Sequence, residues 1–349
     1  IEDEEKYRQS LARRLDPTAA LQQRVTQSIS GSDKRIVFAE GEEPSVIRAA
    51  FAFQSQGLGQ AVLVAREEVA KANMRSLGLP DDVLEIQNAR LSDRNADYAD
   101  WLYKRLQRRG YLRRDVQRLV NNDRNVFAAC MVALGDANGM VTGVTRNYAQ
   151  ALGDVKLVLD TAENERVMGM SLVLSRGRTL FIADTNVTEF PSPEALADIA
   201  VETAAAAKRF GVTPRVAFLS YSTFGNPSGD RADAIQKAVS YLDERSVDFE
   251  YEGEMNADVA LDPDHRRLYP FSRLSGPANV LVMPAIHSAS IATKLMRAAG
   301  GATVLGPMLV GLEKPVQIAR LGASVNDILT LAALAAHDLS EERAEKAAE

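Results

Sequence analysis

The sequence predicts an α/β protein whose two lobes surround a mainly parallel, mixed sheet. Runs rich in Val, Ile and Leu have the length of buried strands at 35–40, 61–65, 139–143, 215–222, 278–284 and 302–306. Segments of helical length separate most of these runs, and apolar runs without strict alternation are typical of parallel strands. The segment 170–185 differs, because two apolar runs joined by Arg-Gly-Arg predict an antiparallel hairpin. We therefore expect one mixed sheet covered by helices.

Three helices carry clear end signals. The segment 192–211 places Ser192 at the N-cap and Pro193 at the first helical position, and it ends at a glycine. The segment 288–301 closes with basic residues and two glycines, and 324–337 begins at a serine and is apolar over a wide face. These signals predict a helix over each segment.

The composition is that of an ordinary globular protein and excludes a nucleic-acid-binding arm. Of the 349 residues, 46% are apolar and 25% are charged, and the formal net charge is -6. A chain of this length buries a sizeable core and is expected to divide into two lobes. The densest basic run, 104–115, predicts either a solvated helix face with a turn at Gly110 or an edge that recruits phosphate.

The single cysteine and the absence of long apolar runs help to predict where in the cell the protein is located. Cys130 lies in an apolar stretch, which favours a small buried hydrophobe over a nucleophile, and one cysteine excludes an internal disulfide. No apolar run reaches the roughly 18 residues of a membrane helix and no signal-peptide pattern is visible, so we expect a cytoplasmic protein. The start at Ile1, followed by an acidic helical stretch, indicates a piece of a longer polypeptide.

Loops that follow predicted strands are the candidate ligand-binding elements. In parallel α/β sheets, ligands gather at the carboxyl ends of the strands, where loops lead into helix N-termini. Four such loops span 41–44, 135–147, 219–229 and 306–328. Their glycines allow close backbone approach, and their hydroxyls and amides supply donors, so together they predict a cleft for a phosphorylated ligand. The chain has neither a P-loop nor a G-x-G-x-x-G fingerprint, so we expect no nicotinamide site in it.

The three histidines are too scattered to predict a metal site. His265, His287 and His337 lack a close carboxylate pattern with metal-ligand spacing. His337 falls at the end of a predicted helix, where a cationic ring suits the helix dipole. His287 leads a helix after a strand, so it either lines a cleft or only packs there. No nucleophile elbow accompanies these residues, so a Ser-His-Asp triad is not expected.

The strand-end loops, taken together and in chain order, resemble the phosphate acetyl/butyryl transferase family. The segments that carry the resemblance, such as the run LSYSTFGNPSG, are 35–50, 135–143, 219–229, 278–315 and 322–328. The likeness runs from Arg35 to Leu334 and covers nearly the whole chain. Two further segments, 113–132 and 139–152, are similar to the carboxy-terminal transacetylase-like domain of the large hybrid malic enzymes of bacteria.

The resemblance implies an architecture and a ligand. The architecture is phosphate acetyltransferase-like, in the manner of isocitrate and isopropylmalate dehydrogenases, with 17–144 and 301–349 in one lobe and 145–300 in the other. Residues 1–16 would be a helical lead-in from an upstream malic enzyme part. Such transferases hold coenzyme A between the lobes, so acetyl-CoA is the expected ligand. Its expected contacts are Arg146, Tyr148, Ser222, Thr223, Lys294, Arg320 and Asp327.

The resemblance also implies a dismantled catalytic centre, so no catalytic residue is predicted. Active transferases carry Ser-Arg-Gly where this chain has Arg320 and Leu321 before a glycine, while the acid that serves them as base is retained as Asp327. Two further family arginines fall near Gly153 and around Leu106, although an arginine precedes Leu106. Losing groups that position and neutralise a phosphorylated substrate removes most of the basis for its catalysis. Arg320 is left with two interpretations, a phosphate contact or an ion pair.

Three functions of different classes are consistent with the sequence. The favoured one is a non-catalytic domain that binds acetyl-CoA as an allosteric effector of an attached malic enzyme. The alternatives are an active phosphate acetyltransferase and an oligomerisation scaffold with an empty cleft. The resemblance implies that the full-length protein uses NAD or NADP and Mg or Mn, whereas no cofactor or metal is expected in this chain.

The expected macromolecular partners are the malic enzyme domain of the same polypeptide and further copies of the chain. The resemblance implies a homodimer or a larger assembly. The hairpin 170–185 and the helix 192–210 are the candidate contact elements, because both are rich in apolar residues. Neither nucleic acid nor a membrane is expected as a partner.

Overall fold

The computed structural model describes residue 29 and residues 31–163, 165–175 and 177–346, with side chains described up to His337. The helical lead-in predicted for residues 1–16 lies outside the described residues. Contacts within the chain define two compact units. Among the described residues, the central unit comprises 165–311, and the flanking unit comprises 29–163 together with 312–346. The boundaries of these units, 163/164 and 311/312, differ from the lobe boundaries of 144/145 and 300/301 that the resemblance implies.

Eleven strands occur among the described residues. They are β1 (Arg35–Phe38), β2 (Gln60–Val64), β3 (Glu85–Gln87), β4 (Gly139–Thr142), β5 (Met168–Ser175), β6 (Arg178–Ala183), β7 (Arg215–Leu219), β8 (Glu250–Met255), β9 (Val280–Val282), β10 (Thr303–Val310) and β11 (Val316–Ile318). The sheet of the flanking unit has the order β11-β4-β1-β2-β3, and every neighbouring pair in it is parallel. The sheet of the central unit has the order β10-β5-β6-β9-β7-β8.

The sheet of the central unit is mixed. β5 pairs antiparallel with both β10 and β6, whereas β6, β9, β7 and β8 run parallel to one another. The predicted hairpin is confirmed, with Met170 opposite Ala183. The α/β class with mainly parallel strands is also confirmed, and each of the six predicted strands overlaps an observed one. The strands nevertheless form two sheets and not the single sheet expected, because a chain of this length builds two cores.

The helices cover the three segments predicted from end signals. Those of the described residues are α1 (Pro44–Ser55), α2 (Glu67–Ser76), α3 (Asn95–Leu106), α4 (Arg113–Asn122), α5 (Arg124–Ala133), α6 (Tyr148–Lys156), α7 (Pro193–Arg209), α8 (Asp230–Asp243), α9 (Ala257–Leu261), α10 (Pro263–Arg266), α11 (Ile286–Ala298) and α12 (Val325–Lys346). α12 continues beyond His337, so the prediction that this residue lies at a helix end is wrong. The basic run 104–115 forms the end of α3, a turn at Gly110 and the start of α4.

Side-chain caps fix the starts of the two helices that flank β4 in sequence. The Asp123 carboxylate accepts the backbone N–H groups of Asn125 and Val126, at 2.9 and 3.1 Å, and so caps α5. The Asn147 side chain accepts the N–H of Gln150 at 2.8 Å and caps α6. A polar side chain at this position satisfies N–H groups that have no partner inside the helix. The loop that joins β4 to α6 is thereby held at its far end.

Two glycines permit close backbone approach in the two sheets. At Gly143, directly after β4, a Cβ atom would lie 2.4 Å from the carbonyl oxygen of Ala319, and the backbone φ is 104°. At Gly306, inside β10, a Cβ atom would lie 2.8 Å from the N of Met308, and φ is 106°. Residues with a side chain rarely adopt such φ values. Glycine at these positions lets β4 meet the chain after β11, and lets β10 bulge against β5.

The core of the flanking unit includes Cys130, which is fully buried within α5. Burial raises the pKa of its thiol to about 12, so the thiolate required for nucleophilic chemistry is suppressed. The prediction of a small buried hydrophobe is confirmed. Across the described residues, no helix combines the length and the hydropathy needed to span a membrane.

Candidate functional site

The loop between β11 and α12 contains Arg320, Leu321 and Asp327, the positions that the resemblance aligns with catalytic residues of active transferases. Nη2 of Arg320 donates to Oδ2 of Asp327 at 3.0 Å, and the backbone N–H of Ser324 donates to the same oxygen at 3.1 Å. The Ser324 hydroxyl accepts the N–H of Asp327 at 3.2 Å. Ser324 and Asp327 therefore form a capping box at the start of α12. Arg320 and Asp327, both predicted as ligand contacts, are joined to each other.

The surroundings of Asp327 favour its charged form. Burial alone would raise the pKa of Asp327, but hydrogen bonds from Ser324 and Arg320, with the charge of Arg320, outweigh burial and hold the pKa below its usual value. A carboxylate with reduced proton affinity is a weaker general base. Leu321, next to Arg320, is 59% exposed and brings neither charge nor a side-chain donor to the loop. This arrangement suits an ion-paired helix cap better than a proton-abstracting centre.

Arg146 lies between two carboxylates. Its Nη1 donates to Oδ2 of Asp123 at 2.6 Å and to Oδ2 of Asp154 at 2.7 Å. Asp154 also accepts the side-chain amide of Asn125 at 2.9 Å. Asn125 is fully buried, and its Oδ1 accepts the Thr142 hydroxyl at 2.6 Å. This network fastens the loop after β4 to α5 and α6, so Arg146 has a structural role whether or not a ligand is bound.

Ser222 and Thr223 lie in a turn of the central unit that is tied to β8. The fully buried Ser222 hydroxyl donates to Oε1 of Glu254 at 3.0 Å, and the N–H of Gly225 donates to the same oxygen at 2.8 Å. The Thr223 hydroxyl accepts the N–H of Asn256 at 3.1 Å. Both predicted ligand contacts therefore use their hydroxyls to hold the turn.

The remaining predicted contacts belong to different units. Lys294 lies on an exposed face of α11 in the central unit, where its Nζ donates to the Ser290 hydroxyl at 2.9 Å. Tyr148 is the first residue of α6 in the flanking unit and is partly buried. Of the predicted set, the structure joins Arg320 to Asp327 directly and places Ser222 beside Thr223 in one turn.

A cavity of about 310 Å³ lies within the flanking unit, at the carboxyl edge of its sheet. It is lined by residues that follow β1, β2, β3 and β4 and by the helix ends between them. Its charged and amide lining includes Glu42, Arg66, Arg90, Asn122, Arg124 and Arg146. The carboxyl edge is where parallel α/β sheets place their ligands. We call this space the arginine cavity.

One arginine of the arginine cavity is neutralised by an adjacent carboxylate. Arg66 donates from Nε and Nη2 to the two oxygens of Glu42, at 2.8 and 2.7 Å. The hydrogen bond from Arg66 outweighs burial and lowers the pKa of Glu42, and the charge of Arg124 adds to this effect. Glu42 therefore stays ionised, and its two hydrogen bonds fix the orientation of the Arg66 guanidinium.

Two other arginines of the cavity donate to neutral oxygens. Nε of Arg90 donates to Oδ1 of Asn122 at 3.2 Å, and Nη2 of Arg124 donates to the Thr145 hydroxyl at 2.6 Å. Within the described part of the chain, neither forms an ion pair. Nε of Arg124 is buried and has no hydrogen-bond partner among the described residues.

The buried carboxylate of Glu40 holds the loop that carries Thr145 and Arg146. Glu40 is 1% exposed and accepts the N–H of Val144 at 2.9 Å. It also accepts the N–H and the hydroxyl of Thr145, at 3.0 and 2.9 Å. Because Thr145 in turn accepts a hydrogen bond from Arg124, Glu40 indirectly sets the position of that guanidinium.

Arg146 was predicted from the sequence in this region, whereas Arg66, Arg90 and Arg124 were not. Arg90 follows β3, whose residues Glu85–Gln87 are too few and too polar to be recognised as a buried strand. Arg66 and Arg124 stand at the starts of α2 and α5. Arginines placed directly after strands and at helix starts are a signal for anion binding that could have been used.

Comparison with known proteins identifies the family. The model of the phosphate acetyl/butaryl transferase family matches residues 20–336. The chain belongs to this family. It is 56% identical over 340 residues to an NADP-dependent malic enzyme of Rhizobium meliloti, a match that covers 97% of the chain and 45% of that protein. It is 44% identical over 344 residues to a probable NADP-dependent malic enzyme of Rickettsia prowazekii, covering 95% and 45%.

A solved structure agrees with the family assignment. A phosphotransacetylase from Streptococcus pyogenes matches with a TM-score of 0.87 at 28% identity, covering 93% of this chain and 99% of that one. The predicted family and its α/β fold are therefore confirmed. The chain spans about half the length of the malic enzymes that it matches.

Proposed function

We propose that this chain is a non-catalytic, phosphotransacetylase-like regulatory domain that binds acetyl-CoA as an allosteric effector. It belongs to an NAD(P)-dependent malic enzyme that converts malate to pyruvate with Mg or Mn, and it promotes homo-oligomerisation. Similarity to two malic enzymes over nearly the whole chain supports the attachment, since the chain spans about half of their length. The cytoplasmic location expected from the sequence stays a prediction.

The ion pair between Arg320 and Asp327 carries the proposal of a non-catalytic domain. In active members of the family, the acid at this position acts as base toward the coenzyme A thiol. Here the same carboxylate is held by Arg320 and Ser324, and its pKa lies below the usual value. Proton abstraction by Asp327 would have to break these contacts first. Arg320 also replaces the serine that stabilises the transition state.

The loss of anion-binding groups also supports the proposal of a non-catalytic domain. Leu321 and Gly153 stand where the family carries arginines, and neither has a charged side chain. Arg105, beside the third such position, donates to both oxygens of Asp160 and to the carbonyl of Leu157. Three of its five N–H groups are thus already used within the protein. A transferase that must hold phosphate and neutralise developing charge depends on such groups.

The contacts proposed for acetyl-CoA are Arg146, Tyr148, Ser222, Thr223, Lys294, Arg320 and Asp327. The three cationic residues of this set, Arg146, Lys294 and Arg320, already donate to acceptors within the protein. An arginine has five N–H donors, so Arg146 and Arg320 can also bind a phosphate while they keep their carboxylates. The Ser222 hydroxyl is used by Glu254 and the residue is fully buried, so it would act by holding the turn that carries Thr223.

Allosteric control requires that acetyl-CoA prefers one arrangement of the protein. A ligand with equal affinity for two arrangements shifts neither, however tightly it binds. Coupling between an effector site and a second site typically changes affinity by roughly 5- to 150-fold. The regulated quantity would be the affinity of the malic enzyme part for its substrate or cofactor.

Two measurements test the proposal. The first follows acetyl transfer from acetyl phosphate to coenzyme A by the purified chain, with the phosphotransacetylase from Streptococcus pyogenes as the positive control. We expect no turnover above the uncatalysed rate. The second is isothermal titration of the chain with acetyl-CoA, followed by malate oxidation by the full-length protein with and without acetyl-CoA. We expect saturable binding and a changed rate.

Each alternative has its own outcome. Measurable transfer would support an active phosphate acetyltransferase and overturn the non-catalytic assignment. Absence of binding would support an oligomerisation scaffold. If acetyl-CoA binds in the proposed mode, Arg320→Ala should weaken it about tenfold to a hundredfold, because a hydrogen bond to a charged group contributes about 1.5–3 kcal/mol. Leu321→Ala is the matched control in the same loop and should leave the affinity unchanged.

A further inference from the structure

We propose that the arginine cavity binds a phosphate group of a phosphorylated small molecule, held between Arg90 and Arg124. The anion site itself rests on the residues that line the cavity. Its assignment to acetyl-CoA, which carries phosphates, deepens the proposed function and rests on it.

The charge balance of the cavity favours an anion. The lining of the cavity carries four guanidinium groups and one carboxylate, Glu42, which is paired with Arg66. Behind the lining, Asp123 and Asp154 hold Arg146, and Glu40 holds Thr145. The remaining pair, Arg90 and Arg124, donates only to an amide oxygen and a hydroxyl within the described residues. A positive balance concentrated in a concave surface attracts anions.

The unpartnered nitrogen of Arg124 supplies an independent argument. Nε of this side chain is buried and has no acceptor among the described residues. A buried donor without a partner is costly, and most such groups in proteins find one. Thr145, itself held by Glu40, fixes Nη2 of Arg124, so the guanidinium that lines the cavity is already oriented before an anion enters. Preorganised donors contribute more to binding than mobile ones.

The geometry suits phosphate better than a carboxylate. Planar guanidinium groups with several N–H donors match the oxygens of phosphate, and two such groups on different elements can hold different oxygens of a tetrahedral anion. Arg90 follows β3 and Arg124 begins α5, so the two approach from separate elements. The volume of about 310 Å³ lies at the lower end for small-molecule sites, so it accommodates a phosphate and part of its carrier.

The test uses pyrophosphate as the probe, titrated into the purified chain by calorimetry at constant ionic strength with chloride as the reference anion. The variants are Arg90→Gln, Arg124→Gln and both together. Arg75→Gln is the matched control, because it removes the same charge from a 65% exposed side chain at the far end of α2. Circular dichroism checks the fold of each variant. Arg90 is exposed, so its variant remains informative even if Arg124→Gln perturbs the fold.

We expect saturable binding that weakens about tenfold to a hundredfold in each single variant and is lost in the double variant, as for charge-assisted hydrogen bonds. The control should bind like the parent. No binding of pyrophosphate, or equal binding by the double variant and the control, overturns the anion site.

Titration with acetyl-CoA separates this inference from the proposed function. If acetyl-CoA binds the parent and the double variant equally, the cavity is not its phosphate site, although the regulatory proposal survives. If pyrophosphate binding depends on the two arginines but acetyl-CoA does not bind, the anion site stands and the proposed ligand is wrong.

Discussion

The guanidinium of Arg320 lies 3.0 Å from the carboxylate oxygen of Asp327, on the first turn of α12. The side chains are 47% and 30% exposed, so water screens the pair. The same oxygen accepts the N–H of Ser324, which also caps the helix. The pair and the capping interactions thus hold the same carboxylate at the start of α12.

The first prediction concerns the size of that ion pair. A double-mutant cycle with Arg320→Ala and Asp327→Ala should give a coupling of about 0.2–1 kcal/mol, as for other exposed pairs. Ser324→Ala should cost about 1 kcal/mol by itself, because it removes the N-cap. Urea denaturation of the purified chain measures both. A coupling energy between Arg320 and Asp327 that exceeds the loss of stability in Ser324→Ala would contradict this order of contributions.

The second prediction concerns Arg146. Arg146→Leu should destabilise the chain by about 2 kcal/mol, somewhat less than the roughly 3–5 kcal/mol seen when one partner of a fully buried pair is removed. The reason is that Asp123 and Asp154, with side chains 21% and 19% exposed, are left facing each other.

Adding Asp154→Asn to Arg146→Leu should recover part of the loss, since it removes one of the two charges. Arg66→Leu is the control, because the side chain of Arg66 is 68% exposed and its loss should matter less. Equal unfolding free energies for Arg146→Leu and the parent would show that the triad contributes nothing to stability.

The third prediction concerns Glu40. Glu40→Ala should cost roughly 2–3 kcal/mol, because it leaves the buried N–H of Val144 unsatisfied and removes two further hydrogen bonds to Thr145. Glu40→Gln should cost less, since one oxygen acceptor remains. Chemical denaturation of Glu43→Ala, in the same loop, gives the baseline for losing a carboxylate. If all three variants unfold at the same denaturant concentration, Glu40 does not hold the loop.

The sequence was informative where burial produced apolar runs. The strands β1, β2, β4, β7, β9 and β10 were predicted because their residues are almost continuously apolar. β8 was missed because Glu252 and Glu254 interrupt its pattern. Both side chains are buried, and both accept hydrogen bonds from distant residues, Arg273 for Glu252 and Ser222 for Glu254. Such buried charges become recognisable only when their partners are known.

The candidate site was predicted only in outline for a related reason. Strand-end loops can be located from local patterns, and the loops that carry Glu42 and Arg146 were found in this way. The partners of Arg146 lie 23 and 8 residues away in sequence, and no local pattern shows that they meet. Arg90 was missed because β3 is short and polar. Pairings across the sheet edge depend on strand order, which the sequence alone did not supply.

The last prediction concerns pH and Glu202, on α7. Burial raises the pKa of Glu202 to about 7, from the usual 4.5, and the nearby charges of Glu165 and Asp198 add to this effect. The folded chain therefore holds a proton that the unfolded chain releases between about pH 4.5 and 7. The folded state binds more protons in this window, so stability falls as pH rises through it and stays low above it. Glu202→Gln keeps an oxygen that can accept the N–H of Arg166, now at 2.8 Å, and cannot ionise.

The variant should match the parent near pH 4.5 and exceed it at pH 8. Since the side chain keeps some contact with water, we expect a gain of about 1 kcal/mol, well below the full shift at about 1.4 kcal/mol per pKa unit. Thermal unfolding between pH 4.5 and 8 measures the difference, and Glu194→Gln, exposed on the same helix, controls for the change in net charge. A variant that is less stable than the parent at pH 8, or whose advantage grows toward pH 4.5, would show that Glu202 does not hold a proton in the folded chain.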